Sequence, residues 1–134
     1  MIDGGGVSEA ASWPETYTGA TFVAQDLLPQ EAAVSVVTLS ELQAGVLAAR
    51  DTQTRARRLA TLDILSDIEI LPVDAEVALV WAQLRVQLAE SGRRINVNDL
   101  WIAATAARHR LPVVSQDDDF SAVDGMSGVV VQRV

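Results

Sequence analysis

The chain of 134 residues has the commonest size for one domain and can enclose one core. Its net charge of −8 argues against a uniformly basic, phosphate-coating surface. All ten basic residues are nevertheless arginines, several of them clustered at 55, 57 and 58, at 93 and 94, and at 108 and 110, so local guanidinium groups remain available to phosphates. Cysteine is absent, which excludes disulfides and thiolate metal sites. No apolar run approaches the roughly 20 residues of a membrane span, and "MIDGGGVSEAASW" shows no basic-then-apolar leader pattern. A soluble, cytoplasmic, single-domain protein is expected over residues 1–134.

Residues 1–30 sustain neither a helical nor a strand period, and they hold Gly4, Gly5, Gly6, Gly19, Pro14 and Pro29. From residue 31 the pattern sharpens. "AAVSVVT" is a β-branched run that predicts a strand, and "LSELQAGVLAA" repeats Leu39, Leu42, Val46 and Leu47 at helical spacing. A second helix, with Asp51 as a possible cap, carries Leu59, Leu62 and Leu65. "IEILPV" reads as a short strand. "DAEVALVWAQLRVQLAESG" places Val77, Val80, Trp81, Leu84 and Leu88 on one stripe between an Asp74 start and a Gly92 stop. "NDLWIAATAARHR" reads as a helix opened by Asn98 or Asp99, and "LPVVS" and "GVVVQRV" read as strands. Alternating strands and helices predict an α/β fold with a mostly parallel sheet.

Ligands of such sheets bind beyond the carboxyl ends of the strands. Glu41 falls just after the first strand, Asp117, Asp118 and Asp119 directly follow "LPVVS", and Asp99 opens its helix, where the dipole favours an ionised carboxylate. Carboxylates crowded together resist ionisation unless a cation or donors lie among them. Converging hard oxygens suit Mg²⁺ or Mn²⁺, which take one or two carboxylates and keep most of their waters. Such an ion can activate water for phosphoryl displacement. Each residue has a plainer role: Asp99 as a helix cap, Glu41 as a first-turn acid, and the Asp triplet as a solvated turn. His109 fits a dipole-compensating surface position, and Trp81 and Trp101 fit the core.

The segments "VVTLSELQAGVL" and "INVNDLWIAATAARHRLPVVSQDDDF", in this order and spacing, resemble the PIN-domain ribonuclease toxins of VapBC toxin–antitoxin systems from about residue 31 onward. The resemblance implies a three-layer α/β/α domain and Mg²⁺- or Mn²⁺-dependent cleavage of single-stranded RNA. It also implies inhibition by a VapB-type antitoxin and pairing of two copies into a homodimer. Residue by residue it implies catalytic roles for Glu41, Asp99, Asp117 and Asp119, with Asp99, Asp117 and Glu41 at the metal. Asn98 and Ser115 would orient carboxylates, and Asp118 falls at a variable position.

The N-terminal segment departs from that pattern. Such toxins begin with an apolar strand closing on an Asp that binds metal, and no such sequence occurs here; Glu9 is the nearest acid, with Asp3 a weaker substitute. Two functions therefore stand: an active ribonuclease, or a catalytically impaired module that still binds antitoxin or RNA. Arg93, Arg94 and Arg108 are candidates for RNA phosphates. Leu42, Val46, Leu59 and Leu62 are candidates for an antitoxin groove.

Overall fold

The structure, a computed structural model, describes residues 32–133. Within them four strands of three residues alternate with four helices. β1 (Ala33–Ser35) leads into α1 (Val36–Leu47) and α2 (Thr52–Ile64), and a 3-10 turn (Leu65–Asp67) leads into β2 (Glu69–Leu71). α3 (Ala75–Ser91) and α4 (Val97–Arg108) follow, and then β3 (Val113–Ser115), a 3-10 turn (Ser121–Val123) and β4 (Val131–Arg133). β1 pairs with β2 and β3 with β4, both in parallel. The expected parallel pairing is present, in the described residues as two separate two-stranded ladders. Glu9 and the rest of residues 1–30 lie outside the described part.

The first strand is shorter than "AAVSVVT" predicts. Ser35 takes the extended conformation of a cap and its Oγ accepts from the Val37 N–H at 3.0 Å, so the helix starts at Val36 and absorbs Val36, Val37 and Thr38. β-branching disfavours helix by a few tenths of a kcal/mol per residue, less than a good cap contributes. Asp51 caps α2 through Thr54, as expected. In α3, Asp74 accepts from Val77 N–H at 2.9 Å, and Gly92 closes the helix at φ 68°, a conformation that glycine adopts without a Cβ penalty.

α3 and α4 make the most extensive packing of the described part. Leu84 and Val77 of α3 meet Ile102, Ala103 and Ala104 of α4, all 0% exposed, and Val113, Phe120, Val123 and Val129 extend the same core. The small alanines let α4 lie close to its neighbours. Ala33 and Leu71 point into this core, whereas Val34 packs with Ile68 and Ile70 in a second cluster. The β1–β2 ladder is thus apolar on both faces, as a sheet between two layers must be. No helix among the described residues is long and apolar enough to cross a membrane.

Candidate active site

The loop after β3 carries the acidic triplet, and its two ends are anchored. Ser115, 2% exposed, closes the strand, and Phe120, fully buried, pins the far side. Between them the Asp117 carboxylate accepts from Ser115 Oγ at 3.0 Å and from the Asp119 N–H at 3.0 Å, while the Asp117 N–H donates back to Ser115 Oγ at 3.3 Å. Three adjacent acids therefore have three environments. Asp117 is half-buried and oriented by donors, Asp118 is exposed and ion-paired with Arg133 of β4, and Asp119 is exposed at the loop's tip.

Asp99 is half-buried in the first turn of α4. It does not cap the helix, and neither does Asn98: Asn96 does so, its side chain accepting from the Asn98 N–H at 2.9 Å. The helix starts earlier than the motif suggests because Asn96, rather than an acid, supplies the preferred short side chain at the non-helical position. Asp99 thereby lies inside the first turn, in the positive field of the helix end. Glu41 is half-buried on α1, but in its second turn, because the helix starts at Val36. The first turn of α1 contains no acid.

α4, which bears Asp99, packs against α1, which bears Glu41, and against β1 and β3; Asp117 lies two residues beyond β3. Among the described residues, however, no three acidic or histidine side chains converge closely enough to hold one metal ion. The donors are of the right kind for a hard divalent cation, and their number suits an ion held by one or two carboxylates with its remaining positions filled by water.

The arginines fall in different roles from those their clustering suggests. Arg108 is ion-paired with Glu76 across the ends of α4 and α3. Arg93 reaches back to the Ala122 carbonyl at 3.4 Å. Arg58, 8% exposed, donates to the Gly45 carbonyl at 2.6 Å and ties α2 to α1. His109 occupies the C-terminal end of α4, exposed, as expected. Of the four leucine and valine positions proposed as a partner groove, Leu42 and Val46 are buried inside the protein itself; Leu59 is 43% exposed and Leu62 half-buried. The apolar side chains left open on α1 and α2 are Leu47, Leu59 and Ile64.

A cleft of about 570 Å³ lies between the second half of α3 and the start of α4. Trp81, Arg85 and Leu88 line one side and Arg93, Arg94 and Leu100 the other. Trp81 stacks on Trp101 with ring centroids 4.8 Å apart and planes at 16°. Sequence reasoning passed over Arg85. Its signal was the i, i+4 spacing from Trp81, which sets a guanidinium beside an aromatic ring on one helical face.

The chain belongs to the PIN domain family, which it matches over residues 14–126. Within that family it is similar to the VapC proteins. It is 58% identical over 108 residues to Ribonuclease VapC5 of Mycobacterium tuberculosis, covering 81% of this chain and 80% of the relative. It is 40% identical over 98 residues to Ribonuclease VapC4 of the same organism, covering 73% and 75%. The fold superposes with a TM-score of 0.77 on a solved member of the VapBC family of toxin–antitoxin systems, VapBC-5 of M. tuberculosis, at 57% identity over 82% of this chain and 87% of that one.

Proposed function

We propose that this chain is the toxin of a toxin–antitoxin pair, a cytoplasmic endoribonuclease that cleaves single-stranded RNA with Mg²⁺ or Mn²⁺ and is silenced by a VapB-type antitoxin. The observation that carries the reading is the 58% identity to a relative named as a ribonuclease, combined with the oriented Asp117 beyond β3 and Asp99 in the first turn of α4, which packs on β3. The name of the solved relative, a toxin–antitoxin complex, supports the antitoxin as partner, with Leu47, Leu59 and Ile64 as the apolar side chains on which it would rest. Two copies of the chain are expected to associate, as sedimentation would show.

In this reading Asp99 and Asp117 hold the cation, with Glu41 completing the acidic face. When bound, the ion lowers the pKa of a coordinated water and neutralises phosphate oxygens. The field at the N-terminus of α4 favours negative charge there, that of Asp99 and that of a phosphodiester alike. Ser115 and the Asp119 amide fix one oxygen of Asp117, leaving the other to a ligand. Asp119, exposed at the loop tip, would accept a proton from the attacking water.

A second reading, a module that binds antitoxin or RNA but cleaves feebly, is favoured by one observation: among the described residues no three acids converge on a point. Mn²⁺ calorimetry and cleavage of a single-stranded RNA pool, run on this chain and on Asp99→Asn, separate the two. Metal-dependent cleavage that disappears in Asp99→Asn supports the ribonuclease. Antitoxin binding with neither heat on Mn²⁺ addition nor cleavage would overturn it in favour of the module.

A further inference from the structure

We propose that the cleft between α3 and α4 is a binding subsite for single-stranded RNA, with Arg85 and Arg94 on backbone phosphates and the Trp81 indole against an unpaired base. That the ligand is RNA rests on the ribonuclease reading; that the cleft takes an anion carrying a flat apolar group rests on the cleft alone.

The chain carries ten arginines against 18 acids, yet three of those ten line this one cleft, and the rest of its lining is apolar. Arg108 and Arg133 are neutralised by Glu76 and Asp118, whereas Arg85 and Arg94 are exposed and have no carboxylate partner among the described residues. A concentrated, uncompensated cationic lining on an acidic protein favours an anionic occupant. Guanidinium groups, planar and always charged, match phosphate oxygens in pairs.

The apolar part of the cleft points to the other half of the ligand. Val97, 64% exposed, and the half-buried Ile95 and Trp81 would be wasted on a bare inorganic anion. Stacking on Trp101 holds the Trp81 ring rigid. Rigid aromatics beside basic side chains are how proteins hold single strands, because every unpaired base presents a π-face next to its phosphate. The placement agrees with the proposed chemistry. Val97 and Leu100 of the cleft wall belong to the same first turn of α4 as Asp99, so cleft and acid are separated by no more than about the 10–12 Å width of a helix. One short stretch of RNA can occupy both. A self-complementary contact with a second copy fits less well, since a twofold would bring arginines towards arginines.

The test measures anisotropy of a fluorescein-labelled, mixed-sequence single-stranded RNA with the full-length chain in EDTA, across a salt series. The double variant Arg85→Gln, Arg94→Gln is compared with Arg85→Lys, Arg94→Lys. Both sites are exposed, and a thermal melt checks that the variants fold. Losing two phosphate contacts should weaken binding about tenfold or more and reduce the slope of log affinity against log salt by about 1.4. The Lys pair should keep the slope, and with Mn²⁺ the Gln pair should raise KM more than it lowers kcat. Unchanged affinity and slope in the Gln pair would overturn the proposal, as would a change in sedimenting mass, which would assign the cleft to chain–chain contact. Cleft-dependent RNA binding without cleavage by the unaltered chain overturns the ribonuclease reading alone. Cleavage with unaltered KM in the Gln pair overturns the subsite alone, and a chain that neither binds nor cleaves overturns both.

Discussion

Ser115 and Asp117 exchange hydrogen bonds in both directions: the Ser115 hydroxyl donates to the Asp117 carboxylate at 3.0 Å, and the Asp117 N–H donates to the hydroxyl at 3.3 Å. The carboxylate is held as much by the strand end as by its own backbone. Ser115→Ala should cost about 1 kcal/mol and lower metal-dependent cleavage roughly tenfold to a hundredfold, the usual penalty for freeing a ligand from its orienting partner. Asp117→Asn should behave differently, because an amide oxygen still accepts both donors. Its melting point should stay near that of the parent while cleavage disappears. Equal stability and equal activity in both variants would show that the loop does not orient Asp117.

Helix start and site chemistry should separate cleanly on α4. Asn96→Ala removes the cap and should cost about 1 kcal/mol while leaving most of the cleavage. Asp99→Asn leaves the cap untouched and should change stability by less than about 1 kcal/mol, while abolishing activity. Melting curves and cleavage rates on the two variants check this, and a strongly destabilised Asp99→Asn would return Asp99 to a structural role.

Asp51 carries a pH signature of its own. The Thr54 N–H, then the Thr54 hydroxyl and, more weakly, the positive charge of Arg57 hold its carboxyl below the ordinary 3.8. A depressed carboxylate pKa contributes stability above the unfolded value, and that contribution is lost as pH falls through the folded one. Asp51→Asn keeps a capping oxygen but cannot titrate. The parent should therefore melt slightly above Asp51→Asn at neutral pH, and the two should converge as pH falls below about 4. Parallel melts across the whole range would show that charge at this cap contributes nothing.

Two large side chains of α3 differ in what they tolerate. Leu84 is 0% exposed at the heart of the core, and Leu84→Ala should cost about 2–5 kcal/mol. Trp81 stacks on Trp101, yet its indole N–H is enclosed without a partner among the described residues. Trp81→Phe keeps a ring for the stack and removes the unsatisfied donor, so it should cost no more than about 1 kcal/mol, against about 3 for Trp81→Ala. Denaturant titrations give both differences.

The sequence discloses most where a single local cause decides the outcome. Asp74 and Gly92 mark both ends of α3 because capping and left-handed closure each need particular residue types. It misleads where two causes compete. Val36, Val37 and Thr38 favour strand by their branching, but the Ser35 cap and the packing of α1 draw them into helix, which moves Glu41 from the first turn to the second. Asn96 was overlooked beside the more conspicuous Asn98 and Asp99. The motif acids were legible as a family pattern, but whether Glu41, Asp99 and Asp117 share one ion depends on side-chain distances that no spacing encodes. The engagement of Arg108 by Glu76, likewise, needs the two helix ends to be brought together first.

The short β ladders bear on the order in which the chain assembles. α3 and α4 are joined by residues 92–96 alone and bury most of the core between them, a contact close in sequence and therefore quick to form. The β1–β2 ladder closes only after two helices have been threaded between its strands, and its three-residue register offers few bonds in return. We expect the α3–α4 hairpin to form the folding nucleus and the ladders to condense on it afterwards. Of the acids of the proposed site, Asp99 then belongs to the early half and Glu41 and Asp117 to the late one, so on that proposal a nascent or partly unfolded chain would cleave no RNA until the last contacts close. Mutational φ-values near zero in α3 and α4 and high in β1 would reverse that order.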